Sequence, residues 1–291
     1  MTTAPRPLPP PGLNAGPGTD RPVLELSGPP ITAAMQSLIA QSEGEGGIER
    51  YVSALGHKVA LFQEILADGR AGRMDEPSFL ALCALMAPVR RRIGARLKAD
   101  GFAAVRDAVA ELLQGAHDTS TVDARVRAFT ARFPKDRAHR WVHDLAAEVL
   151  HYTDPELYPL MCRWVWDATA NTGVLREIWH AEDIDRVIID VPDTYATFLV
   201  LRQELCQFLG DNGVFRDVLL YTDLLVAQIY AAYIGVRGGA FLRADFSSPE
   251  DPMAHVRRML GLDGVNPRSG RTRLKAVDGE ARRLDDPKSL N

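Results

Sequence analysis

The 291-residue sequence is poor in cysteine and has no long hydrophobic run. Its three cysteines, Cys83, Cys162 and Cys206, are far apart, and an odd number without CxxC spacing argues against a disulfide framework and a structural zinc site. The longest apolar run, residues 224–236, is interrupted by Gln228 and is too short to cross a bilayer. The first residues lack the positive segment and apolar stretch of a signal peptide. We therefore expect a cytoplasmic protein that does not enter a membrane.

A strong charge of either sign and the familiar catalytic motifs are missing as well. The net charge is only −4, so no global basic field exists to hold nucleic acid or an anionic membrane. The Walker loop, the dinucleotide-binding glycine motif, the nucleophile elbow and HExxH are absent. The sequence therefore identifies no cofactor and no complete catalytic constellation. Its 29 arginines against 5 lysines are typical of a GC-rich bacterial genome.

Helical periodicity dominates the chain between two polar ends. Residues 1–30 hold nine of the nineteen prolines and are predicted to be a flexible segment. Residues 262–291 are predicted to be a charged, flexible tail. Residues 31–261 form the predicted core domain. The 3.6-residue period predicts helices over 31–42, 47–68, 76–98, 102–114, 120–132, 137–151, 159–168, 173–181, 193–210, 214–236 and 251–260. The predicted fold is all-α, a single multi-helix globular domain with disordered termini.

Large aromatic and titratable side chains are concentrated in residues 139–180, which we call the Trp-rich region. It contains all four tryptophans and four of the seven histidines: Trp141, Trp164, Trp166, Trp179, His139, His143, His151 and His180. Such residues rarely cluster without a packing or functional reason. If the protein has a functional site, it is expected in this region.

Two histidine patterns in this region have the spacing of metal ligands. His139 and His143 are four residues apart at the edge of the apolar stripe of helix 137–151, but no third ligand is evident and a structural role is favoured. The pairs Glu148–His151 and Glu177–His180 repeat the ExxH spacing of carboxylate-bridged di-iron bundles. On their predicted helices, both pairs face away from the apolar stripe. We therefore expect them to face solvent and not to bind iron.

Two further candidates combine charge with an apolar setting. The predicted helix 159–168 is apolar almost all round, apart from Arg163 and Asp167, which lie four residues apart and favour an ion pair. The alternative is an arginine beside Trp164 and Trp166 that anchors a carboxylate, a phosphate or a flat ring. On helix 214–236, Asp223 lies among apolar residues and needs a partner, for which Arg216 is the candidate in sequence.

Residues 150–160, LHYTDPELYPL, resemble a segment of helix-hairpin-helix DNA glycosylases. The resemblance covers about a dozen residues. The glycine-rich hairpin and the catalytic lysine of that family are not recognisable in this chain. The resemblance therefore implies no activity.

Three functional hypotheses follow from the sequence. The first is a non-enzymatic accessory protein that binds a partner protein through the Trp-rich region, because tryptophan, tyrosine and arginine anchor many interfaces. The second is a helical enzyme or ligand binder whose cavity is lined by Tyr158, Arg163, Trp164, Trp166, Asp167 and Asp223, with a metal at His139 and His143. The third is a nucleic-acid binder that uses the basic helix 90–98, which carries Arg90, Arg91, Arg92, Arg96 and Lys98.

Overall fold

The computed structural model describes residues 21–237 and 253–264, and within these ranges the regular structure is helical. Its eleven α-helices are α1 (Gly28–Glu43), α2 (Glu49–Leu66), α3 (Glu76–Ala84), α4 (Ile93–Asp100), α5 (Phe102–Leu113), α6 (Val122–Ala131), α7 (Trp141–Thr153), α8 (Val174–Glu177), α9 (Tyr195–Asp211), α10 (Val218–Arg237) and α11 (Ala254–Met259). Extended pairing in this part of the chain is limited to isolated bridges. The prediction of a single all-α domain is confirmed.

Helices α7 and α10 organise the interior. α7 packs against α2, α5 and α6, and every residue from Trp141 to Tyr152 is buried except His143. α10 packs against α1, α2, α8, α9 and α11. A helix with neighbours on all sides has almost no solvent face, which explains why α7 and the buried middle of α10, residues 222–229, carry so many apolar residues. None of the described helices is long and apolar enough to cross a membrane.

The predicted helix 76–98 is wrong in its middle. Asp75 caps α3 by accepting a hydrogen bond from the Ser78 N–H at 2.8 Å, as its position before the apolar run suggests. The helix ends at Ala84, the chain turns through residues 85–92, and α4 begins at Ile93. Pro88 lies in that turn, and a proline inside a helix lacks the required N–H and clashes with the preceding turn.

The predicted helix 159–168 does not form, and the predicted helix 173–181 is reduced to the four residues of α8. Residues 158–167 instead cross the interior as an irregular segment, which we call the buried segment. Pro159 disfavours the helical conformation of the residue before it. An apolar sequence alone does not distinguish a buried helix from a buried irregular segment.

Packed structure extends beyond both predicted domain boundaries. Leu24 and Leu26 lie partly buried against the core, and α1 begins before Ile31. At the other end, Leu262 is 1% exposed. These apolar side chains explain the difference, because burying them favours order. The rest of the predicted flexible ends, 1–20 and 265–291, lies outside the described residues.

Gly173, which follows the buried segment, is expected to be intolerant of substitution. It has a φ of +125°, and a Cβ atom there would lie 2.7 Å from the carbonyl oxygen of Val165. Gly173→Ala should lower the free energy of unfolding by about 2–4 kcal/mol, measured by urea denaturation. The control is Gly210→Ala in α9, where nothing lies within 4 Å of the new Cβ, and it should stabilise by about 0.5–1 kcal/mol. Equal effects of the two substitutions would contradict this account.

Candidate functional site

Polar side chains of α7 satisfy the backbone of the buried segment. Every residue of the segment except Arg163 is buried, so its unpaired backbone groups need partners. α7 supplies three: His143 Nε2 lies 3.0 Å from the Met161 carbonyl oxygen, His151 Nδ1 lies 2.8 Å from the Tyr158 carbonyl oxygen, and Asp144 Oδ1 accepts from the Arg163 N–H at 2.9 Å. Part of the histidine cluster in the Trp-rich region therefore has a structural explanation.

The two histidines predicted as possible metal ligands have different partners. His139 Nδ1 lies 2.8 Å from the Asp136 carboxylate at the surface, while His143 Nε2 bonds to a backbone carbonyl. Within residues 21–237 and 253–264, no group of three His, Cys, Asp or Glu side chains is placed to hold a metal ion. Within these residues, His139 and His143 therefore have no third side chain placed to complete a metal site.

The expectation that Glu148 and His151 face solvent is wrong, since each is only 2% exposed. The prediction assumed that the helix has a polar face in solvent, whereas α7 is buried on nearly all sides. His180 of the second ExxH pair is exposed. The two pairs therefore do not share one environment, as the ligands of a di-iron bundle would.

His151 and Asp223 form a buried pair across the interior. The Nε2–Oδ2 distance is 2.8 Å, and the side chains are 2% and 6% exposed. The predicted partner of Asp223 was Arg216, and the structure corrects this to His151. The other ring nitrogen, Nδ1, lies 2.8 Å from the Tyr158 carbonyl oxygen. Both ring nitrogens and the carboxylate therefore have partners, which offsets the cost of burying them.

Lys58 and Glu148 form a second buried pair, which sequence reasoning missed. Lys58 Nζ donates to Glu148 Oε2 at 2.9 Å and to the Leu260 carbonyl oxygen at 2.9 Å, and it lies 3.7 Å from the Tyr152 ring centroid. Burial lowers the pKa of Lys58 and raises the pKa of Glu148, against the opposing effect of each on the other. The available signal was that Lys58 shares the buried face of α2 with Leu55 and Phe62.

Arg163 and Asp167 form an ion pair, although the residues between them are not helical. Asp167 Oδ2 accepts from Arg163 Nε and Nη2 at 2.9 and 2.8 Å and from Arg140 Nη2 at 3.0 Å, while Oδ1 accepts from the Ala170 N–H at 3.0 Å. Burial raises the pKa of Asp167, but these hydrogen bonds and charges outweigh it and hold the pKa below its ordinary value. The carboxylate thus fastens the turn after the buried segment.

The aromatic members of the predicted cavity are packing residues. Trp166 is fully buried and donates from Nε1 to the Val191 carbonyl at 3.0 Å. Trp164 is 8% exposed and packs against Tyr230, with ring centroids 5.6 Å apart. Tyr158 donates its hydroxyl to the Ala116 carbonyl and accepts from Arg125 Nη2 at 2.7 Å. These contacts account for the positions of all three aromatic side chains.

Three of the five cations of the predicted basic helix have protein partners. Arg90 is buried against Asp263, Arg96 pairs with Asp100, and Arg92 Nη1 donates to the Ala138 carbonyl at 3.3 Å. Arg91 and Lys98 are exposed. The nucleic-acid hypothesis is not tested by these contacts, but they reduce the number of cations available to phosphates.

A surface groove of about 230 Å³ lies at the end of the Trp-rich region. Its lining includes Ser27, Pro30, Arg176, Trp179, His180 and Ile184, and none of the six predicted cavity residues. Trp179 is partly exposed, whereas the other three tryptophans are buried. The groove therefore lies beside the one tryptophan of the Trp-rich region that is partly exposed.

Backbone and side-chain hydrogen bonds hold the sides of this groove. Residues 25–27 pair with 178–180 in antiparallel fashion, through Ser27 N–H to Ile178 O and His180 N–H to Glu25 O, both 2.8 Å. Arg176 donates from Nη1 to the Val187 carbonyl at 2.9 Å and from Nη2 to the Ile184 carbonyl at 2.6 Å. The side chain of Arg176 thus positions segment 184–191, and Trp166 holds the far end of that segment at Val191.

No protein-family model, no curated protein and no solved structure matches this chain.

The Asp167 carboxylate should stabilise the protein only where it is ionised in the unfolded chain. Its folded pKa lies below the ordinary 3.8, so its contribution is present above that value and is lost as pH falls through the folded pKa. Asp167→Asn should lower the free energy of unfolding by about 2 kcal/mol near neutral pH, with a smaller difference in acid, measured by urea denaturation. Asp107→Asn, in the exposed pair with Arg106, is the control and should change little at either pH. A difference that grows in acid would contradict the assignment.

The buried Lys58–Glu148 pair should be costly to break and cheap to replace. Lys58→Met leaves a buried carboxylate unpaired and should lower the free energy of unfolding by about 3–5 kcal/mol. The double variant Lys58→Met/Glu148→Leu should recover most of that loss, because no buried charge is left. Urea denaturation of the single and double variants measures the loss of unfolding free energy and its recovery. If Glu148→Leu lowers the free energy of unfolding further in the Lys58→Met background, the two side chains do not act as a coupled pair.

Proposed function

We propose that this chain is a non-enzymatic accessory protein of the bacterial cytoplasm that binds a partner protein at the groove beside Trp179. The observation that carries the proposal is the position of the groove beside Trp179, the partly exposed tryptophan of the Trp-rich region. A partly exposed tryptophan next to a concave surface is a common anchor of protein interfaces. The three free cysteines support a reducing compartment.

The size of the groove favours a protein partner over a small molecule. Pockets for cofactors and drug-sized ligands have volumes of about 300–1,000 Å³, and this groove has about 230 Å³. A space of that size holds one or two side chains of a partner. Since the lining combines Trp179 and Ile184 with the imidazole of His180, the expected anchor is an apolar or aromatic side chain with a polar tip.

Exposed apolar side chains extend this surface. Ile188 is 82% exposed and follows Val187, whose carbonyl is held by Arg176 of the groove. Val23 is 80% exposed and lies two residues before Glu25, whose carbonyl binds His180. Two of the exposed large hydrophobic residues in the described chain therefore lie on the segments that flank the groove, where a partner would cover them.

The buried ionic pairs also support a non-enzymatic role. Lys58, Glu148, His151 and Asp223 are of types that serve in acid–base chemistry, and each side chain is at most 6% exposed. In this arrangement they bind one another and the backbone. A substrate has no access to them while the chain is folded as described.

Site-specific crosslinking tests the proposal. A benzophenone amino acid at position 180 in the groove should capture a partner in the native host, and the same group at Phe215 should not. Phe215 lies in the connection between α9 and α10 and is 79% exposed, about as much as Ile188. Ile188→Asp should reduce capture about tenfold, because loss of an interface anchor costs at least 1–2 kcal/mol.

Phe215→Asp is the matched control, since it also places a charge on an exposed apolar position without touching the core. It should leave capture unchanged. Equal capture from positions 180 and 215, or capture from position 180 that Ile188→Asp does not weaken, would contradict the groove as the binding surface.

A further inference from the structure

Exposed positive charges are concentrated just before α7, although the whole chain has a net charge of −4. Residues 132–140 contain one acidic residue, Asp136, and four basic residues, all of which are exposed: Arg132, Lys135, Arg137 and Arg140. The local charge is therefore opposite in sign to that of the chain as a whole, which gives this part of the surface a positive potential.

A second basic segment lies against this one. Arg92 Nη1 donates to the Ala138 carbonyl oxygen at 3.3 Å, which places the turn before α4 beside residues 132–140. Arg91 and Arg92 are both exposed in that turn. Two segments that are distant in sequence therefore contribute positive charge to one part of the surface.

Two arginines at this surface are held in place by one carboxylate. Arg140 Nη2 and Arg163 Nη2 both donate to Asp167 Oδ2, at 3.0 and 2.8 Å. The two arginine side chains are 42% and 25% exposed, whereas that of Asp167 is 6% exposed. One carboxylate balances only one of the two charges. The pair therefore presents positive charge to solvent on side chains that lose little freedom when an anion binds. We call residues 91–92, 132–140 and Arg163 the basic surface.

The neighbouring acidic side chains leave part of this charge uncompensated. Asp136 accepts from the His139 N–H at 3.0 Å and lies 2.8 Å from His139 Nδ1, and Glu111 pairs with Arg132. Among the residues that the structure describes, three cations of the basic surface have no hydrogen-bond or ion-pair partner: Arg91, Lys135 and Arg137.

We propose that the basic surface binds the phosphate backbone of a nucleic acid, with Arg140 and Arg163 as its fixed contacts. Guanidinium groups match the geometry of phosphate oxygens. Cations spread over two segments suit a polymer with a charge on every unit better than they suit a single small anion. The groove beside Trp179 shares no residue with the basic surface, so this inference is independent of partner binding at the groove.

Fluorescence anisotropy of labelled oligonucleotides tests the proposal. A single strand of about 20 nucleotides and the corresponding duplex are titrated with the full chain at about 50 mM salt, where phosphate contacts are strong. Single strand and duplex carry the same phosphates, and the two titrations show which form is preferred. The affinity should not depend on base sequence and should fall as the salt concentration rises.

The double variant Lys135→Gln/Arg137→Gln removes two exposed charges without breaking a contact among the described residues. It should weaken binding about tenfold or more and reduce the slope of log K against log salt by about 1–2, because each phosphate contact contributes about 0.7–0.9 to that slope. Arg140→Gln should weaken binding about threefold or more, while Asp167 keeps its hydrogen bonds to Arg163.

The matched control is Arg73→Gln/Arg216→Gln, which also removes two exposed positive charges, from the turn before α3 and from the connection between α9 and α10. It should leave the affinity within about twofold of the native value and the salt slope unchanged. Polyglutamate is the second control. As a competitor it should displace the oligonucleotide at least about tenfold less well than unlabelled nucleic acid does, because it lacks phosphate oxygens.

The proposal is overturned if neither oligonucleotide binds at protein concentrations up to about 100 μM, since even non-specific nucleic-acid binding has dissociation constants of about 10⁻⁴–10⁻⁶ M. It is equally overturned if the double variant and its control lower the affinity alike, or if the double variant leaves the salt slope unchanged. Polyglutamate that competes as well as nucleic acid would also overturn it and would identify the basic surface as a site for an acidic protein.

Discussion

The structure depends on satisfying the backbone of the buried segment, residues 158–167. A chain that crosses the interior without helix or sheet leaves N–H and C=O groups that need partners, and burying them unpaired is costly. α7 provides these partners through His143, Asp144 and His151. These three side chains lie on one side of α7, which faces the buried segment. α2, α5 and α6 also pack against the helix.

The need to satisfy buried backbone groups also explains several of the tryptophans, histidines and charged residues in the Trp-rich region. The sequence suggested a binding site instead. Trp166 and Asp167 each hold a neighbouring loop through a hydrogen bond to backbone. His151 binds the buried segment on one side and Asp223 on the other. These residues thus have structural contacts that account for their positions, and a groove lies at Trp179 and His180 in the same region.

Most of the helices could be predicted from the sequence because their apolar residues repeat with the helical period, as in α2, α5 and α9. The buried segment could not, since a run that is apolar in every direction contains no information on its backbone conformation. The predicted orientation of Glu148 was wrong because a hydrophobic stripe identifies only one buried face of a helix. It does not reveal that a helix is buried on all its faces. Lys58 and Glu148, like His151 and Asp223, are joined across 90 and 72 residues, and no local pattern indicates which distant charge will be the partner. The groove was predictable only in part, because Arg176, Trp179 and His180 lie in the Trp-rich region whereas Ser27, Pro30 and Ile184 lie outside it.

The contact between Lys58 and Leu260 spans 202 residues, and this separation has a consequence for synthesis of the chain. At about 5–20 residues per second, a ribosome adds Leu260 about 10–40 seconds after Lys58. During that interval α2 is complete, but one side of the lysine lacks its neighbour. The nascent protein must therefore keep an ammonium group hydrated within a helix whose other residues are ready to pack. Final closure of the interior is thus a late event, which belongs to the finished chain and not to its growing N-terminal part.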